Sequence, residues 1–102
     1  MRIGIALALA FALSLTACAG DSSPAGRGRQ VYQAQCIACH NSDPSKPGPL
    51  GPPVKGSSQE LLEAKLLRGS YPPGYMPKRD TAIMPPQPQL APYIPDLAAF
   101  LH

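Results

Sequence analysis

The chain has no tryptophan, only two phenylalanines and only three cysteines, so a dense disulfide framework is excluded as the basis of its core. It shows no internal repeat and no alternation of apolar and polar residues at strand period. Charge is sparse as well. Only 15% of residues are charged, and without Arg2 there are eight Lys/Arg against six Asp/Glu, too even and too scattered a balance for nucleic-acid binding. No apolar run is long enough for a transmembrane helix, because the stretch from Ile3 to Leu15 falls short of the ~20 residues a bilayer requires.

What the chain has in abundance is proline, fourteen of 102 residues. Proline donates to neither helix nor sheet ladders, so much of the chain must be ordered loop. A domain this small buries only about 60% of its unfolded surface and usually relies on a disulfide, metal or cofactor for the rest. Something other than regular secondary structure is therefore expected to organise the core.

The beginning of the chain reads as an address. Met1-Arg2, the apolar run and small residues after it form a secretory signal, residues 1–17. Leu15-Thr16-Ala17-Cys18 resembles a bacterial lipobox, which would make Cys18 the lipidated first residue of the mature chain; Ala17-Cys18-Ala19 would also suit an ordinary signal peptidase. Both readings place the domain in the periplasm or an equivalent space, membrane-attached in the first and soluble in the second. At ~0.8 kcal/mol per buried methylene, two or more acyl chains would hold it durably on a membrane. Residues 18–26 read as a flexible tether and 27–102 as one domain.

Within that domain the pattern is helical. GRQVYQAQ, from Gly28 to Gln35, reads as a short helix, and SSQELLEAKLLRG, residues 57–69, as the clearest one, capped by Ser57 or Ser58 and stopped by Gly69. The ending APYIPDLAAFLH carries Ile94, Leu97, Phe100 and Leu101 on one stripe, with Pro92 and Pro95 near a first turn. Two proline-rich loops, 43–56 and 71–90, separate these segments. The fold class is all-α, with three to four short helices and long loops.

Cys36-Ile37-Ala38-Cys39-His40 is the chemically informative stretch. C-x-x-C-H reads as covalent haem attachment: each thiol adds across one porphyrin vinyl group, and the histidine that follows lies beneath the iron. A thioredoxin-like redox pair would need a sheet that this chain does not offer. A zinc site would need His102 to supply a fourth ligand, and a disulfide across two residues would be strained and leave His40 idle.

Gly28, Tyr32, Cys36, Cys39 and His40 match the G-x3-[FY]-x3-C-x-x-C-H opening of the class I cytochromes c. Gly51-Pro52-Pro53-Val54-Lys55-Gly56 is similar to that family's G-P-x-L-x-G loop, and Asp96 to Leu101 resembles its C-terminal helix. The resemblance implies the cytochrome c fold around one haem c bound through Cys36 and Cys39. It also implies that the first and last helices cross where Gly28 and Tyr32 meet Leu97 and Phe100. The family's loop proline, here Pro52 with Pro49 as the competing register, would accept a hydrogen bond from the His40 ring.

For the sixth iron ligand, Met84 in Ile83-Met84-Pro85-Pro86 resembles the family's ligand loop, with Met76 as the alternative. The loop from Tyr71 to Asp80 has no counterpart in the family pattern. Methionine and histidine together would raise the potential and suit a single-electron carrier, not an enzyme, docking transiently with respiratory or dehydrogenase partners at the haem edge. Lys46, Lys55, Lys78 and Arg79 are candidate steering charges. Two other functions stay open: a five-coordinate haem sensor or gas binder, and a dedicated electron-accepting subunit of a periplasmic oxidoreductase complex.

Overall fold

A computed structural model describes residues 22–102. The expected signal and Cys18 lie outside the described residues. The described chain is helical and has no strand: α1 (Pro24–Gln35), α2 (Gln59–Arg68), a 3-10 helix (Pro88–Tyr93) and α3 (Ile94–Leu101).

The first helix begins earlier than its sequence suggests. Ser23 caps it by accepting from the Gly26 N–H at 3.0 Å, and Pro24 fills the first turn, where its missing N–H costs nothing. Pro24, Ala25 and Gly26, expected as tether, are therefore its first turn. In α2 the cap is Ser58, whose Oγ accepts from Leu61, while Ser57 turns aside to donate to the Val54 carbonyl. Gly69 ends α2 at φ 63°, in the left-handed region that a side chain would strain. The last segment is divided: Pro92 sits inside the 3-10 helix, and Pro95 occupies the first turn of α3.

The core is small. Tyr32, Leu66, Leu90, Ile94, Leu97 and Leu101 form one buried cluster drawn from all four helical elements. Its centre is the crossing of α1 and α3. A β-carbon at Gly28 would lie 2.5 Å from the Asp96 carbonyl carbon and 3.0 Å from the Leu97 nitrogen, so only glycine permits this approach. Arg27, one residue away, forms a two-pronged bond with the Asp96 carboxylate at 3.1 and 3.2 Å across the same crossing. That carboxylate, by hydrogen bonding first and charge second, raises the Arg27 pKa.

Candidate functional site

The chain leaves α1 through a helical turn. His40 N–H bonds to the Cys36 carbonyl at 2.9 Å, which sets residues 36 and 40 one turn apart, with Cys39 beside His40. All three line one cavity of about 260 Å³, whereas Ile37 and Ala38 do not. Cys36 is half-buried, and its thiol is pushed up to about 11 by burial; Cys39 is exposed at the rim. A sulfur that the surroundings keep neutral suits a thioether, which has no charge to desolvate.

His40 is held from both sides. Its Nδ1 donates to the Pro52 carbonyl at 3.0 Å, the Pro52 register rather than Pro49, and its Nε2 has no hydrogen bond among the described residues. Gly51 packs against the imidazole so closely that a β-carbon there would clash with Cε1 and Nδ1. The segment carrying Gly51 and Pro52 is fastened in turn, because the N–H groups of Leu50 and Gly51 both bond to the Cys39 carbonyl, at 3.1 and 2.8 Å. Tyr32 is buried on the cavity wall, its ring 5.4 Å from that of Phe100 and its hydroxyl donating to the Asn41 carbonyl. Burial, as the largest cause, pushes Tyr32 up to about 12.

The two methionines part company. Met84 is half-buried, packs against the core cluster and lines the cavity; Met76 is 84% exposed and is absent from its lining. The Met84 loop is drawn toward α2 by the bond from Gln87 N–H to the Leu66 carbonyl at 2.7 Å. His102 is exposed and also lies off the cavity. No three His, Cys, Asp or Glu side chains among the described residues are gathered to hold a bare metal ion.

Part of the remaining wall comes from the loop that departs from the expected pattern. Tyr71 and Tyr75 stack at 5.3 Å and 10°, with Lys65 Nζ 4.4 Å from the Tyr71 ring centroid. Lys78 Nζ donates to the Pro53 carbonyl at 2.7 Å, tying this loop to the residue after Pro52. Of the candidate steering charges, Lys78 and Arg79 line the cavity, while Lys46 and Lys55 do not. Sequence reasoning missed Gly51, Lys65, Tyr71 and Tyr75 as site residues. Of these only Gly51 left a signal, one residue before the proline of the expected loop.

The family whose model is described as cytochrome c oxidase, cbb3-type, subunit III matches residues 23–91. The chain belongs to this family. No curated protein and no solved structure matches the chain. As a cytochrome c domain it is an electron-transfer module, not an enzyme, and it carries haem c bound through Cys36 and Cys39. The cytochrome's own residues fit that group: two thiols and an imidazole share one mostly apolar cavity, with the imidazole already oriented by a carbonyl. The helical fold expected from the resemblance is the fold observed. Its C-terminal helix lies beyond the matched residues and closes the core all the same.

Proposed function

We propose that this cytochrome is a periplasmic single-electron carrier whose iron is bound axially by His40 and Met84, held to a membrane by lipid on Cys18. The observation that carries the axial assignment is the contrast between Met84, half-buried on the cavity wall, and Met76, 84% exposed outside it. The haem supplies one-electron exchange between ferric and ferrous iron. Everything else is the chain's work. His40 presents Nε2 because Pro52 holds Nδ1, which also makes the ring a stronger donor. Met84 offers a soft thioether that favours reduced iron. Proline-rich loops restrain the site, because they have little conformational freedom left to lose.

With His40 and Met84 both holding the iron, no site would be left there for a substrate, and the haem would supply single-electron exchange with a docked redox protein. The family description supports a second reading, in which this chain is the electron-accepting subunit of a membrane oxidase complex rather than a free shuttle. The chemistry at the iron is the same in both.

The deciding experiment is the optical spectrum of the oxidised and reduced protein, compared with Met84→Ala and Met76→Ala. A weak far-red band that disappears only in Met84→Ala is expected. A wild type without the band, with high-spin iron that binds carbon monoxide readily, would replace the carrier with a sensor or gas binder. Fractionation of Cys18→Ser tests the anchor: release into the soluble periplasm is expected, and unchanged membrane retention would overturn it. Co-migration of the solubilised wild type with an oxidase in native gels would select the subunit reading.

A further inference from the structure

The residues that attach the haem lie on one short stretch, and Tyr32 is bonded at both of its ends. The Tyr32 main-chain carbonyl accepts the Cys36 N–H at 2.9 Å, where α1 stops, and the Cys36 carbonyl accepts the His40 N–H in turn. The Tyr32 hydroxyl then reaches across to donate to the carbonyl of Asn41, the residue directly after His40. No other group among the described residues donates to that carbonyl.

The ring by itself does not account for the hydroxyl. Tyr32 is 1% exposed and its ring packs against Phe100, a contact that phenylalanine would make equally well. A buried hydroxyl is costly unless it finds a partner, and the Asn41 carbonyl is the partner it has. Burial also keeps the group protonated, and therefore a donor, up to about pH 12. The same stretch of main chain is confined from another side, since a β-carbon at Gly48 would lie 2.6 Å from both the His40 carbonyl carbon and the Asn41 nitrogen. Pro52 holds one nitrogen of the imidazole, but the direction of a ring depends as well on where the main chain sets its root. Tyr32 and Gly48 set that root.

We propose that the Tyr32 hydroxyl is a positioning group for His40, fixing the main chain at the end of the Cys36–His40 turn and with it the direction of Nε2. The proposal rests on the reading of His40 as an iron ligand, and not on which residue is the sixth. A ligand whose root is held by a buried hydrogen bond keeps its place when the iron changes charge, so little rearrangement accompanies each electron. Phenylalanine at residue 32 would preserve the packing and lose this restraint.

The test uses the haem-loaded full chain as wild type, Tyr32→Phe, Phe100→Leu and His40→Ala. Phe100→Leu is the packing control, because Phe100 touches the Tyr32 ring but does not line the cavity. The readouts are the hyperfine-shifted haem methyl resonances of the ferric protein, which follow the orientation of the axial ring, the electron self-exchange rate, and the melting temperature. Tyr32→Phe is expected to rearrange the methyl shifts and to slow self-exchange severalfold. Phe100→Leu is expected to melt earlier with the wild-type methyl pattern. Wild-type methyl shifts in Tyr32→Phe overturn the proposal whatever its melting temperature. The same rearrangement in Phe100→Leu also overturns it, by showing that packing and not the hydroxyl sets the ring. A wild-type pattern in His40→Ala refutes the ligand reading itself, and the proposal falls with it. If Tyr32→Phe takes up no haem, the reduced wild type decides: a slowly exchanging Tyr32 hydroxyl proton with cross-peaks to the Asn41 main chain supports the proposal, and its absence overturns it.

Discussion

Gly51 shows how little freedom the His40 imidazole has. With one ring nitrogen on the Pro52 carbonyl and the ring edge against the Gly51 backbone, any β-carbon at residue 51 must displace the ring or the loop. Overpacking of this kind typically costs about 1–3 kcal/mol. Gly51→Ala is therefore expected to lower the melting temperature of the holoprotein and, if His40 is the proposed iron ligand, to weaken the far-red band, because the ring would be displaced from the orientation that Pro52 sets. A melting curve and spectrum that match the wild type would mean that the loop yields without cost.

Asp43 governs a different response, that to acid. Its carboxylate accepts from the Ser45 hydroxyl at 2.6 Å and the Ser45 N–H at 3.0 Å, and these bonds, in that order, hold its pKa below the ordinary value of 3.8, with Lys46 and Lys55 adding less. The folded chain thus binds this proton less readily than the unfolded one. The resulting stability is complete above the ordinary value and is lost as pH falls through the lower folded one. Melting temperature measured against pH should accordingly fall less steeply below about pH 4 in Asp43→Asn than in the wild type; equal slopes would remove Asp43 from the acid response. Much of the site was legible at this scale, since Cys36, Cys39, His40 and Pro52 stand at fixed spacings along the chain. Arg79 and Tyr71 were not, because their place on the cavity wall depends on how an irregular loop folds back, and no periodicity encodes that.

Among the helices, the α1 and α3 crossing is the contact that most limits substitution. Gly28 lies mid-helix, where glycine costs up to ~1 kcal/mol relative to alanine, yet alanine is the residue that cannot fit. Gly28→Ala gains that propensity and loses more, because the obstruction is the Asp96 backbone and not a movable side chain. A net destabilisation of about 2 kcal/mol or more is expected by chemical denaturation. A neutral or stabilising result would show that the helices can separate without loss. The three helices differ in how plainly the sequence announces them. Capping serine, leucine period and terminal glycine all agree in α2. The start of α1 is polar and glycine-rich, so only the Ser23-Pro24 cap marks it. The turn before α3 becomes a 3-10 helix because Pro92 lacks the N–H that a continuous α-helix would require.

Over the whole domain, the cavity is as much a part of the architecture as the helices. Seven hydrophobic residues are buried among those described, and Tyr32, Leu66, Leu97 and Leu101 among them also line the cavity, so a haem held there would extend the core. Binding that occurs in the folded state alone adds to folding stability by linkage. Here the attachment is covalent, so that contribution does not dilute away. The loops follow the same logic, because residues 50–53 line the cavity and are fastened there by bonds to the Cys39 carbonyl and from the His40 ring. A Cys36→Ala, Cys39→Ala double variant, which cannot attach haem, is therefore expected to lose most of its helical circular dichroism and to melt without a cooperative transition. A sharp transition in that variant, with native helix content, would show that Leu66, Leu90, Ile94 and Leu97 suffice as a core and that the haem occupies a fold already made.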